Sequence, residues 1–374
     1  MAPTETSPKP PLASLISTHD FEHVASQTFT PKTWAFVSSA ATDLHTNRRN
    51  RTAWSDIHLR PRTLRNVSKV DLSTTILGGS HALRMPVFCS PVAMARMVHP
   101  DGEKAVGRAC KDSGIAQCVS TSASYPVEDI VDAIRTHPAQ RPFDMPVFFQ
   151  LYVDRQRENS RRLVKRARDA GASTVFLTID APIPGKREAD ERVQSDESLS
   201  SGMSGAVAGK DSKGGSIGRT MGGYIDDSVS WADIPWLRDC AGDMRIVLKG
   251  IQTHEDALLA MKAGVDGIVV SNHGGRSLDT TPATILVLLE LRRNCPQVFE
   301  ALDVFVDGGI TRGTDIFKAL CLGAKAVGIG RGQLYGLNYG HEGVARYIES
   351  ESSLTFDEGM FLIIIDVWAS SLAR

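Results

Sequence analysis

The stretch "IVVSNHGGRSLD" (Ile268–Asp279) ends an apolar run in Ser271, Asn272 and His273, adds two glycines, and sets Arg276 three residues beyond the histidine. An imidazole titrates near neutral pH and can accept a proton. A guanidinium is a planar fork matched to a carboxylate. The two together suit a substrate that carries COO⁻ beside its reacting carbon. Asp180 closes another apolar run, "TVFLTID". A carboxylate there could face the second ring nitrogen of His273, fix its tautomer and raise its basicity. Taken singly, His273 could be a structural cap and Asp180 a turn cap.

Lys249 ends the run "RIVLKG". A cation there could stabilise negative charge on a reduced cofactor ring, or form a Schiff base; the neighbouring His–Arg pair favours the first. "DGGITRG" (307–313) and "GIGRG" (328–332) place glycines and arginines after two further runs. Backbone amides and guanidinium forks of this kind hold phosphate, although tight turns would also use them. His19 and His23 stand four apart without further ligands, so no metal is expected.

Eight short apolar runs carry these residues: 85–90, 115–120, 145–153, 174–180, 245–250, 267–272, 303–309 and 326–330. Continuous runs of this length suit strands buried on both faces, as in a parallel sheet. Helix-like segments with Ser, Thr, Asp or Asn starts and Gly stops lie between them. Alternation with a count of eight, and no G-x-G-x-x-G after the first run, predicts an α/β fold: a (β/α)8 TIM barrel with an N-terminal helical segment. Active sites of such barrels form at strand C-termini. Those positions are polar in step: Ser90, Ser120, Gln150 and Tyr152, Thr178 and Asp180, Lys249, Ser271 and His273, Asp307. The spacing breaks once, between the fourth and fifth runs. The excess includes a Ser/Gly-rich segment, 195–218, expected to be a long mobile loop after strand 4, either a lid or an insertion with no task.

Bulk composition narrows the classes. Of 374 residues 42% are hydrophobic, and the formal net charge is −1, which offers no field for nucleic acid or an anionic membrane surface. Six scattered cysteines without a C-x-x-C pair fit a reducing compartment. The start "MAPTETSPKPPLASL" lacks a signal-peptide pattern, "MFLIII" is too short to span a bilayer, and the closing "SSLAR" is not a peroxisomal tripeptide. A cytoplasmic protein is expected.

These residues resemble the FMN-dependent α-hydroxy acid oxidases and dehydrogenases, the glycolate oxidase and lactate oxidase group. The likeness runs from about residue 20 to 350 through "PVAMARMVHPDGE", "FFQLYV", "GKREAD", "LKGIQTHEDA", "VSNHGGRSLD", "DGGITRGTDIFKALCLGA" and "GIGRG". The resemblance implies a barrel domain over 21–350, a disordered polar tail over 1–20 and an atypical tail over 351–374. It implies FMN as cofactor, with Pro91, Val92, Ala93, Ser120, Gln150, Thr178, Lys249 and Ser271 along the ring and ribityl chain. Asp307, Gly308, Gly309, Arg312, Gly330 and Arg331 would complete the cofactor site at its phosphate end. His273 would be the proton acceptor, supported by Asp180. Arg276 and Arg187 would hold the substrate carboxylate, and Tyr152 the hydroxyl. The reaction would take a 2-hydroxy acid to a 2-oxo acid, with O₂ reoxidising the flavin to give H₂O₂. A homo-oligomer is expected by analogy.

The chain departs from the pattern. Phe36 stands where a substrate-touching tyrosine is usual, and Ser122 where an aromatic is frequent, so the pocket is enlarged and a bulky or specialised substrate is implied. Thr311 replaces an arginine on the phosphate side, and Ser277 a glutamine. These changes also leave room for a flavin-binding barrel with lost or altered activity, an isomerase or a scaffold.

Overall fold

The computed structural model describes residues 8–64, 66, 68, 70–139, 143–194, 199–356 and 364–369. Eight parallel strands close into a barrel: β1 (Val87–Cys89), β2 (Ala116–Val119), β3 (Val147–Leu151), β4 (Thr174–Thr178), β5 (Arg245–Ile251), β6 (Gly267–Val270), β7 (Asp303–Asp307) and β8 (Ala326–Ile329). Each of the eight apolar runs became one strand. β8 pairs with β1 to complete the ring, with Val327 opposite Val87.

Strand parity explains how the mouth is furnished. Side chains two residues apart point to the same face of a strand. Phe88, Cys118, Phe148, Phe176, Val247, Val269, Phe305 and Ala326 form one buried cluster inside the barrel. Two residues further along the same strands stand Ser90, Ser120, Gln150, Thr178, Lys249, Ser271, Asp307 and Gly328. An apolar tier thus lies directly beneath a polar tier. The phenylalanines interlock: Phe148 stacks on Phe176 with centroids 5.1 Å apart, and Phe88 meets Phe305 edge-on at 5.8 Å. Burying each such ring contributes roughly 1.5–3 kcal/mol. A hairpin of Thr74–Ile76 and His81–Leu83 adds Ile76, Leu77 and Leu83 to the cluster.

The opposite parity of each strand packs on the surrounding helices. Three helices precede the barrel: α1 (Thr18–Thr28), α2 (Pro31–Ser38) and α3 (His45–Thr52). α1 starts in a capping box of Ser17 and Asp20, and α2 has Pro31 at its first turn with the Thr30 hydroxyl accepting the Thr33 amide. Around the barrel follow α4 (Gly102–Ser113), α5 (Val127–Thr136), α6 (Arg157–Ala170), α7 (Ile234–Ala241), α8 (His254–Lys262), α9 (Thr284–Asn294), α10 (Gly313–Cys321), α11 (Arg331–Leu337) and α12 (Gly340–Phe356). Among the described residues no helix is long and apolar enough to cross a membrane.

Two expectations are corrected here. The segment expected to be a disordered tail is packed from residue 9: Lys9 donates to the Asn338 carbonyl at 2.5 Å, the Tyr339 hydroxyl donates to the Pro10 carbonyl at 2.7 Å, and Leu15 is buried. Residues 1–7 lie outside the described residues. The Ser/Gly-rich segment is likewise built into the structure over residues 199–218, while 195–198 lie outside the description. Ser201, Met203, Ala208, Ser216 and Ile217 are buried. The Ser201 hydroxyl donates to the Ala123 carbonyl at 3.0 Å and accepts the Met203 and Ser204 amides. Its small polar residues make local hydrogen bonds and allow close approach, so composition alone misread it. Beyond α12, a strand at Ile364–Ala369 pairs antiparallel with Ile57–Pro61.

Candidate active site

The polar tier opens into one cavity whose lining takes residues from the ends of all eight strands: Ser90, Ser120, Gln150, Thr178, Lys249, His273, Asp307 and Gly328 among them. Pro91, Val92 and Ala93 line it as well, as do Tyr152, Arg187, Arg276, Gly308, Gly309, Gly330 and Arg331. Of the residues expected at the site, Asp180, Ser271 and Arg312 do not touch the cavity. The first two stand behind residues that do.

The reactive side of the mouth is a chain of charges. His273 has a positive φ of 57°, which turns its ring back over the strand end. Its Nδ1 lies 2.7 Å from Asp180 Oδ1 and its Nε2 lies 3.3 Å from Tyr152 Oη. The Ser271 hydroxyl accepts the His273 amide at 3.1 Å. Behind the dyad, Lys249 Nζ donates to Ser271 Oγ at 3.1 Å and stands 3.6 Å from Asp180 and 3.7 Å from Asp307. Ser271 therefore orients both the base and the ammonium.

The protonation states follow from these neighbours. Burial alone would raise Asp180, but Lys249 and His273 outweigh it and hold the carboxyl at about 2. Burial pulls the His273 imidazolium below its ordinary value against the opposing pull of Asp180. The imidazole is therefore neutral near pH 7, with Nδ1–H facing Asp180 and Nε2 free to accept a proton. Burial would depress Lys249, yet Asp180 and Asp307 push it up. Burial and the Asp180 charge lift Tyr152 to about 12, so its hydroxyl remains a donor.

Helix α2 supplies the facing wall. Arg276 Nη1 donates to the Val37 carbonyl at 3.0 Å and Nη2 to the Phe36 carbonyl at 2.8 Å, and the guanidinium lies 5.2 Å above the Phe36 ring. Arg187 Nε donates to the Arg276 carbonyl at 3.3 Å. Burial lowers Arg276 well below its ordinary value, with Arg187 and Arg331 as neighbouring like charges. An anion would relieve that repulsion. α2 is pinned from below by Lys32, whose ammonium meets the fully buried Asp190 carboxylate at 2.6 Å. Asp190 in turn accepts from Ser216 Oγ at 3.0 Å, which ties the post-β4 segment to the same anchor.

The other side is backbone. Gly308 and Gly309 carry positive φ, and a Cβ on Gly309 would come to 2.0 Å from the Asn50 carbonyl oxygen. Asn50 and Asn272 exchange amide hydrogen bonds at 2.8 and 2.9 Å, so α3 is locked to the turn that bears His273. Asp279 caps α3 through the amides of His45 and Thr46. Arg331 reaches the cavity, yet each of its three nitrogens donates to a main-chain carbonyl, those of Val37, Gly274 and Ser39. Arg312, expected on the phosphate side, is a correction: Asp315 draws in the Thr311 and Arg312 amides to cap α10, and the Arg312 charge is felt instead by Asp20 of α1. Thr311 lines the cavity in its place.

Several lining residues were not anticipated: Asn50, Arg51 and Glu22 from the N-terminal helices, and Ile217, Met221, Tyr224 and Ile225 from the post-β4 segment. Arg51 pairs with Glu22 at 2.5 Å. Residues distant in sequence and not at strand ends carry no local signal. Met221, Tyr224 and Ile225 lie just beyond the Ser/Gly-rich stretch 195–218, in a part of the chain to which no element was assigned.

A barrel of this kind, with a His–Asp dyad and the Arg187 and Arg276 guanidinium groups at its mouth and a glycine-formed end beside them, defines a class of oxidoreductases. The chain belongs to the FMN-dependent dehydrogenase family, whose profile matches residues 25–356. It is 41% identical over 352 residues to L-lactate dehydrogenase (cytochrome) of Saccharomyces cerevisiae, a match that covers 91% of this chain and 57% of that protein. It is 40% identical over 339 residues to a peroxisomal (S)-2-hydroxy-acid oxidase of Oryza sativa subsp. japonica, which covers 89% of this chain and 88% of the relative. The chain thus spans under two thirds of the lactate dehydrogenases it matches, whereas it spans most of the oxidases. Among solved structures, a flavocytochrome b2 variant with pyruvate bound superposes with a TM-score of 0.84 at 36% identity, over 97% of this chain and 89% of that one. Mandelate oxidase with (S)-4-hydroxymandelic acid superposes with 0.84 at 31% identity, over 93% and 95%.

Proposed function

We propose that this chain oxidises a 2-hydroxy acid to the 2-oxo acid with FMN as its redox group. The observation that carries the reading is the His273–Asp180–Tyr152 geometry: a neutral imidazole faces the cavity, its back nitrogen fixed by a carboxylate, with the buried Arg187 and the half-buried Arg276 lining the same cavity. The wall also fits the cofactor. Gln150 Nε2 and Thr178 Oγ1 are buried without a hydrogen-bond partner among the described residues, and a Cβ on Gly330 would meet nothing within 4 Å. Orphaned polar atoms of this kind call for a polar partner. Pro91, Val92, Ala93, Ser120, Gln150, Thr178 and Lys249 would hold the ring and ribityl chain, and Gly308, Gly309, Gly330 and Arg331 the phosphate. When bound, FMN supplies the acceptor for the electron pair that leaves the substrate.

The chain's own residues do the rest. Arg276 and Arg187 bind the carboxylate and fix the position of the 2-carbon. Tyr152 Oη donates to the substrate hydroxyl. His273 Nε2 takes a proton from the substrate, and Asp180 stabilises the imidazolium that forms. Lys249, buried next to Asp180, balances negative charge at the base of the cavity. The outer wall of Phe36, Ile217, Met221, Tyr224 and Ile225 is apolar apart from one hydroxyl, which favours an acid with an aromatic or branched side chain over glycolate. O₂ is the proposed acceptor of the electrons, giving H₂O₂; the closely length-matched oxidases support it, while the cytochrome-named relatives support a protein acceptor.

Anaerobic addition of a panel of 2-hydroxy acids to the yellow protein tests the reading. Bleaching of the flavin's visible absorbance by aromatic 2-hydroxy acids, and peroxide on admitting air, are expected. A flavin that no 2-hydroxy acid bleaches would overturn it. Cytochrome c reduction without peroxide would overturn the acceptor alone.

A further inference from the structure

Away from the barrel mouth, three side chains from three elements converge on one point. Asp112 lies in the last turn of α4, His137 caps the end of α5, and His341 is the second residue of α12. His341 Nε2 is 2.7 Å from Asp112 Oδ2 and His137 Nε2 is 3.0 Å from the same oxygen. The two imidazoles meet edge-on, with centroids 5.0 Å apart. The three ligand atoms lie within 4.8 Å of one another, and the side chains are partly buried, at 15–28% exposure. α4 and α5 both end where the next barrel strand begins, so the cluster sits at the end of the barrel opposite the cavity.

We propose that Asp112, His137 and His341 form a binding site for a divalent transition-metal ion, Zn²⁺ foremost. Two imidazole nitrogens and one carboxylate oxygen are the borderline donors that such ions prefer over Mg²⁺ or Ca²⁺. Ligand bonds of about 2.0–2.2 Å need the three atoms only slightly further apart than the hydrogen-bonded contacts they now make. Partial exposure leaves room for water to complete the coordination. Lys111, next to Asp112 in the chain, is committed to the carbonyls of Ile134, Arg135 and His137 at 2.8, 3.2 and 2.8 Å. It fixes the His137 backbone rather than occupying the site. Since His341 opens α12 and the other two ligands belong to the α4–α5 layer, a bound ion would clamp the last helix to the barrel.

The alternative is a plain hydrogen-bonded cluster, and glutamine separates the two. His341→Gln and His137→Gln can still donate to Asp112 but are poor ligands. Flavin-loaded protein, stripped with a chelator, is dialysed against Zn²⁺ and its melting followed with and without the ion. One tightly bound Zn²⁺ per chain and a Zn²⁺-dependent rise in Tm are expected for the wild type. Each Gln variant should match the metal-free wild-type Tm yet bind at least about tenfold more weakly, since even partners outside the ligand shell are worth that, and lose the rise. His254→Gln, at the separate cluster with Glu255 and Glu290, should leave both intact. Wild type and His341→Gln with equal Zn²⁺ affinity, or a Tm indifferent to Zn²⁺, would overturn the proposal. Should a Gln variant fold poorly, Asp112→Asn supplies the same comparison.

Discussion

The two sides of the barrel mouth are built differently. On the β3–β6 side, Asp180, Lys249, Ser271, His273 and Tyr152 hold one another through side chains within 3.7 Å. On the β7–β8 side, Gly308, Gly309 and Gly330 shape the wall, Arg331 is held in place by three main-chain carbonyls, and Arg51 pairs with Glu22. The first side fixes where a proton goes. The second fixes where the chain leaves space. Substitutions on the two sides should therefore fail in different ways, in catalysis on one and in folding or cofactor retention on the other.

The largest separation comes from His273→Gln. Loss of a general base removes roughly two to four powers of ten in rate, so turnover of the best substrate should fall by about a thousandfold while flavin stoichiometry stays near one. Asp180→Asn should cost about a hundredfold, because the carboxylate fixes the tautomer through Nδ1. The pH profile sharpens the point. His273 must be unprotonated to act, and burial lowers its pKa below the ordinary imidazole value. kcat/KM should thus hold its plateau to a pH lower than an exposed histidine would allow, and fall only on further acidification through that pKa. A profile that breaks above about 6.5 would contradict the burial argument.

Arg276→Lys probes the same side more mildly. Lysine keeps the charge but loses the fork that grips both a carboxylate and the carbonyls of Phe36 and Val37. KM should rise by about ten- to a hundredfold, some 1.4–2.7 kcal/mol, with a smaller change in kcat. A kcat loss larger than the KM change would mean that Arg276 acts in the transition state rather than in binding.

On the glycine side the comparison is between two alanines. Gly309→Ala puts a methyl 2.0 Å from the Asn50 carbonyl at a φ of 77°, so the protein should lose about 2 kcal/mol or more of stability and several degrees of Tm. Gly330→Ala meets open space at φ −93° and should leave the Tm of flavin-free protein unchanged. Its effect belongs to the ligand: FMN should bind about tenfold more weakly if the phosphate uses that space. Equal Tm losses in both would refute the division of labour.

How much was legible before the structure follows the same divide. The eight runs read correctly because a strand buried on both faces is a continuous apolar word. Parity then delivered Ser90, Gln150, Thr178, Lys249 and Asp307 to the mouth, two residues above the inner tier of Phe88, Phe148, Phe176, Val247 and Phe305. His273, Asp180 and Arg276 were legible from type and place. Arg312 was misjudged because its local duty, opening α10 beside Asp315, is decided by capping geometry rather than by residue type. Asn50, Arg51 and Tyr224 were missed because they approach from α3 and from the post-β4 segment, where no strand register points at the cavity. The Ser/Gly-rich segment was misread for a related reason: hydroxyls that bond their own backbone neighbours look in composition like those of a free linker.

Phe36→Tyr is the finest test, and it acts where the two kinds of wall meet. The ring is buried under the Arg276 guanidinium, and the Phe36 carbonyl already holds that group. A hydroxyl on the ring adds one polar contact at the edge of the carboxylate site without moving the base. One such bond is worth about 1 kcal/mol, so kcat/KM for small acids such as glycolate or lactate should improve by about fivefold. For a bulky aromatic acid, whose side chain needs the apolar surface of that ring, it should stay level or fall. Equal gains for both would mean that Phe36 sets carboxylate affinity alone, and the apolar wall of Ile217, Met221 and Ile225 would then have to carry the whole preference for size.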